Sequence, residues 1–112
     1  MRILCLTAAL TLASSFLLLG QDAAANKGKT LFSKYGCYEC HGTQGQGTTA
    51  GARLAPKPIA LTALIAYVRR PAGQMPPYTA KVVSDADLAD IRAYLASIPE
   101  PPPAKSIPLL NQ

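Results

Sequence analysis

Cys37-Tyr38-Glu39-Cys40-His41 places two thiols and an imidazole within five consecutive residues, and no other feature of the chain constrains its fold so tightly. C-x-x-C-H is the spacing of covalent haem attachment. Two thiols at that separation reach the two vinyl groups on one edge of a porphyrin, and the imidazole of the next residue then lies under the iron. A redox pair of the thioredoxin type and half of a structural zinc site also use C-x-x-C. A closed zinc shell takes four nitrogen or sulfur ligands. The chain has three Cys and one His, and Cys5 lies in a segment expected to be removed, which leaves too few. The thioredoxin reading needs a neighbouring βαβ pattern, yet residues 26–112 carry no convincing alternating or β-branched runs. Haem attachment is therefore the expectation, with a disulfide oxidoreductase acting through Cys37 and Cys40 as the alternative.

Residues 1–25 read as an export signal: Arg2, an apolar run from Ile3 to Leu19, and Ala23-Ala24-Ala25 as an A-x-A cleavage site. An uncleaved membrane anchor is the competing reading and takes about 20 apolar residues, slightly more than Ile3 to Gly20 supplies. Cys5 is not placed as a lipid-bearing cysteine, because the end of the apolar run is occupied by Gly20-Gln21-Asp22. Residues 26–99 then form one domain, and residues 100–112 a proline-rich tail. A domain of that size builds only a small core. A large planar cofactor fixed by two thioethers would serve as core material and as a cross-link.

The pattern predicts an all-α fold. One helix is expected over about Lys27 to Tyr35, with Gly28, Leu31, Phe32 and Tyr35 on one face and Gly36 as its terminator. A second covers about Ile59 to Arg70, with Leu61, Leu64, Ile65 and Val68 inward, Pro58 just ahead and Pro71 stopping it. A third starts at Ser84, whose hydroxyl can cap amides near Asp87, and turns Leu88, Ile91, Leu95 and Ile98 inward until Pro99. Between the first two, glycines at 42, 45, 47 and 51 mark an ordered loop. Gly45-x-Gly47 lacks the preceding strand and the Lys-Ser/Thr of a phosphate loop. Glycine lets backbone approach a flat cofactor closely, so this loop is expected to wrap the His41 side of the haem.

With Gly28 and Phe32 ahead of C-x-x-C-H, Met75-Pro76 late in the chain and Tyr94 on the last helix, the sequence resembles a small bacterial class I c-type cytochrome over roughly Lys27 to Pro99. The resemblance implies a small cytochrome c fold: about three main helices plus loops around one covalently bound haem c, with the first and last helices crossing beside it. In the family, haem is ligated outside the cytoplasmic membrane, which makes the periplasm the expected compartment. The family's glycine lies where the aromatic of the last helix crosses, so Gly28 and Tyr94 should touch. The family's glycine-proline-x-leucine segment here reads Gly51-Ala52-Arg53-Leu54. Proline is missing, but Ala52 still offers the carbonyl that in the family accepts the proton-bearing nitrogen of the proximal His.

Cys37, Cys40, His41 and Met75 are thus the expected haem-binding residues, with His41 and Met75 as the iron ligands. Methionine occurs only at positions 1 and 75, and Met1 goes with the signal. Prolines at 76 and 77 stiffen the loop that presents the Met75 sulfur, a poor place for a gap-filling core residue. A His/Met iron keeps its ligands in both oxidation states and has no open position, so the chemistry is electron transfer rather than catalysis. A vacant sixth site would instead indicate a haem-based ligand sensor or a peroxidase.

Residues 26–112 hold ten Lys or Arg against five Asp or Glu, a net +5. Arg53, Lys57, Arg69, Arg70 and Lys81 are expected to flank the haem and to favour an acidic docking partner. Nucleic acid is a poor partner for an exported chain. Redox proteins are the expected partners: a periplasmic dehydrogenase, and a downstream oxidase or other cytochrome. Membrane contact is expected only if the signal segment stays uncleaved. Beyond Pro99, Glu100-Pro101-Pro102-Pro103 favours an extended polyproline arm. Ile107, Leu109 and Leu110 at its tip are candidates for docking on a dehydrogenase.

Overall fold

In the computed structural model, residues 20–110 are described, and all the regular structure among them is helical. Helix α1 is helical over 20–34, α2 is Cys37–His41, α3 is Leu61–Arg69 and α4 is Asp85–Ser97. The apolar run of the proposed signal lies outside the described residues. Helix α1 starts upstream of the expected Lys27 because Ala23, Ala24 and Ala25, the strongest helix formers, continue its turns. Among the described residues no helix is long and apolar enough to cross a membrane.

Gly36, at φ 74°, ends α1 as expected and lets the chain restart one residue later as α2, a helical turn that holds the whole C-x-x-C-H segment. Helix α3 begins two residues later than the spacing predicted. Its N-cap, Ala60, is still extended (φ −55°, ψ 146°), and the preceding carbonyl of Ile59 accepts a 2.7 Å hydrogen bond from Arg92 Nε. Helix α4 begins as predicted: the Ser84 hydroxyl accepts from the Asp87 amide at 3.0 Å.

Helices α1 and α4 cross at Gly28. A Cβ there would collide with the carbonyl of Asp90 and stand 2.9 Å from the Ile91 amide nitrogen. The nearest α4 atoms to Gly28 are thus backbone, one turn before the Tyr94 expected at this crossing. Tyr94 packs on Phe32, one turn further along α1, with ring centroids 5.7 Å apart and tilted by 56°. Around this crossing lies the core, with Phe32 and Leu95 fully buried and Leu31, Val68, Val83, Leu88 and Ile91 beside them. On α3 the stripe at Leu61, Leu64 and Ile65 is only half-buried; it packs against the core, and Leu64 also lines a cavity.

The tail is extended at Pro103 (φ −61°, ψ 142°), as expected of the proline stretch. After the three prolines it folds into two short 3-10 turns, Ala104–Ser106 and Pro108–Leu110. Leu109 and Leu110 remain well exposed, at 78% and 64%, whereas Ile107 is half-buried. At its base, Glu100 pairs with Lys57 at 2.6 Å.

Candidate functional site

A cavity of about 590 Å³ opens between the four helices and the loops that join them. That volume lies within the roughly 300–1,000 Å³ of sites that enclose small molecules and cofactors. Its lining is mainly apolar, and it includes all four expected haem-binding residues: Cys37, Cys40, His41 and Met75. Residues 34 positions apart in sequence, His41 and Met75, thus share one chamber.

The histidine is held in one tautomer by geometry. His41 Nδ1 lies 2.7 Å from the carbonyl oxygen of Ala52, and a carbonyl only accepts, so Nδ1 carries the proton and donates. In the neutral ring this places the lone pair on Nε2, the nitrogen that could bind a metal. Loss of the family's proline therefore does not cost the bond. Gly51 makes this approach possible, because a Cβ there would stand 2.8 Å from the Cys40 carbonyl carbon and 3.0 Å from His41 Nδ1.

The glycine-rich loop is ordered, as expected, by its own hydrogen bonds. Gly47 donates to the His41 carbonyl at 2.8 Å, and Leu54 and Ala55 both donate to the Gly45 carbonyl, at 2.7 and 3.0 Å. The Thr48 hydroxyl donates to the Cys40 carbonyl at 2.5 Å, and the Tyr94 hydroxyl ties the Thr43 carbonyl to α4 at 2.8 Å. Sequence reading passed over Thr48, which lies in an irregular loop where no helical or strand periodicity links it to Cys40.

Cys37 and Cys40 are not joined to each other by a disulfide. Burial pushes the Cys37 thiol up, the reverse of the acidic thiol that disulfide exchange favours. Tyr78, also in the lining, is pushed up as well, chiefly by burial, and its hydroxyl donates to the Tyr35 carbonyl at 3.0 Å. Of the five cations expected to flank the site, Arg53 and Lys57 line the cavity. The other three do not. Arg69 is turned into the protein, with Nη1 donating to Tyr78 O at 3.0 Å and Nη2 to Val83 O at 2.9 Å. Arg70 and Lys81 are exposed away from the lining.

Two thiols on one helical turn, an imidazole with a free Nε2 and a thioether, all facing one apolar chamber, form a donor set that fits covalently attached haem with His and Met available to iron. A family model described as cytochrome C oxidase, cbb3-type, subunit III, matches residues 23–95. The chain belongs to this family. It is a class I c-type cytochrome, and its cofactor is covalently bound haem c with iron. Neither the curated proteins nor the solved structures give a match. The cytochrome's role is haem-based electron transfer with redox partner proteins, as a carrier and not a catalyst.

Proposed function

We propose that this cytochrome carries electrons in the periplasm, with Cys37 and Cys40 as the points of haem attachment and His41 and Met75 as the axial ligands. The observation that carries this reading is the 2.7 Å bond from His41 Nδ1 to Ala52 O, in a chamber shared with both thiols and Met75. Haem supplies a one-electron couple. The protein's part is to hold both axial side chains still, so that little rearranges when charge arrives or leaves. The Ala52 carbonyl keeps the imidazole proton on Nδ1 and makes Nε2 a stronger donor. The apolar walls limit water around the centre.

Export through residues 1–25, with cleavage after Ala25, supplies the periplasmic address. The partner reading rests on the tail: exposed Leu109 and Leu110 at its tip offer an apolar handle for a dehydrogenase that donates electrons. The matched family is described as an oxidase subunit, which favours a second partner at the oxidase end.

Acid-acetone extraction tests the core of this reading. Haem should stay with the polypeptide in the wild type and through denaturing electrophoresis, and Cys37→Ser with Cys40→Ser should release it. Free haem extracted from the wild-type protein overturns the attachment and returns the alternative of a disulfide oxidoreductase.

A further inference from the structure

The chain from Arg70 to Ser84, between α3 and α4, carries Met75 and contains prolines at 71, 76 and 77. Proline has no N–H, so the two residues after Met75 cannot be anchored through their amides. Anchorage begins at Tyr78. Its amide donates to Val68 O at 3.0 Å, its hydroxyl donates to Tyr35 O at 3.0 Å, and its carbonyl receives Arg69 Nη1 at 3.0 Å. The same guanidinium reaches the far end of the loop, where Nη2 donates to Val83 O at 2.9 Å and pairs with Asp85 in the first turn of α4.

We propose that Arg69 is a positioning residue for the sixth iron ligand: it clamps the Tyr78 and Val83 ends of the loop to the end of α3, so that Met75 stays presented to the cavity. The inference rests on the reading of Met75 as a ligand. The guanidinium side chain is 20% exposed and Asp85 is 62% exposed. Solvent screens the ion pair, so the charge-assisted bonds to the two carbonyls supply most of the hold. Arginine suits this task because its rigid fork presents several donors at fixed angles. A lysine ammonium also has three donors, but they converge on one nitrogen at the end of a flexible stem and offer no fixed fork.

The test uses the holoprotein and reads three quantities: the weak red band of ferric iron-thioether bonding, the rate of carbon monoxide binding to the ferrous form, and the reduction potential. Arg69→Met should dim the band, lower the potential and speed carbon monoxide binding about tenfold or more, as loss of hydrogen bonds from a charged donor implies. Arg69→Lys should fall between Arg69→Met and wild type. A lower melting temperature with band, binding rate and potential unchanged would show a merely structural arginine and overturn the proposal. Should Arg69→Met yield no holoprotein, Arg69→Lys decides alone, and wild-type carbon monoxide kinetics in it count against the clamp. Met75→Ala separates the two ideas. If it leaves the band intact, the ligand reading fails; if it abolishes the band while the Arg69 variants keep theirs, ligation stands and the clamp falls.

Discussion

At Gly51 the space left by Cys40 and His41 admits a hydrogen and little else, since a Cβ would stand 2.8 Å from a carbonyl carbon and 3.0 Å from the imidazole. Gly51→Ala should therefore destabilise the protein by about 1–3 kcal/mol through overpacking. It should also push the Ala52 carbonyl away from Nδ1, weaken imidazole basicity and raise the reduction potential. Equilibrium denaturation and a redox titration read the two effects, and an unchanged potential would detach Ala52 from any electronic role. Single residues differ in how plainly sequence announces them. Cys37, Cys40 and His41 are legible because the chemistry forces them to be neighbours, and Met75 because the domain has no other methionine. Arg69 is not legible. It reads as one more surface cation, because the carbonyls it binds at Tyr78 and Val83 belong to the backbone and carry no signal of their own.

Helices α1 and α4 form the rigid wall of the site, and their approach is set by the absence of one side chain. The groups that a Cβ at Gly28 would strike are the Asp90 carbonyl and the Ile91 amide, backbone that cannot rotate aside. Gly28→Leu should cost at least the upper part of the usual 1–3 kcal/mol for overpacking, measured as a lower denaturation midpoint of the holoprotein. A harmless Gly28→Leu would mean that the helices do not cross there. A second tie across this wall is pH-sensitive. The Tyr35 hydroxyl donates to Asp87 at 2.9 Å and, with the Ser84 cap, holds the Asp87 carboxyl below the usual carboxylate range, against a smaller opposing effect of burial. A carboxylate with a depressed folded pKa stabilises above the unfolded value of about 3.9 and loses that stabilisation as pH falls through the folded value. Stability measured from about pH 6 down to 2 should therefore fall at the acid end, and Asp87→Asn should flatten that fall. Helix α4 was readable to its first residue because a capping serine and an apolar stripe agree. The start of α1 was not, because three alanines serve a cleavage site and a helix equally well. Around α3 the stripe was visible, but its two-residue delay follows from the Ile59 carbonyl being held by Arg92, a contact 33 residues away in sequence.

For the whole molecule, the tail separates two ways of working. Truncation after Glu100 removes Leu109 and Leu110 but keeps the carboxylate that pairs with Lys57. A freely diffusing carrier should lose almost nothing. A cytochrome held by its dehydrogenase through the apolar tip should fall out of the complex on gel filtration while its haem spectrum stays intact; co-elution after truncation would exclude the tail as the attachment. The long-range polar ties of the fold have a further consequence. Tyr78 to Tyr35, Tyr94 to Thr43, Tyr35 to Asp87 and Lys27 to Asp90 span 43, 51, 52 and 63 positions of chain. In kinetic terms such bonds are closures: each requires a long loop of chain to be brought together before it contributes anything. Because the closing entropy must be met before such bonds can form, they should make first folding slower than the formation of the local helical turns they join.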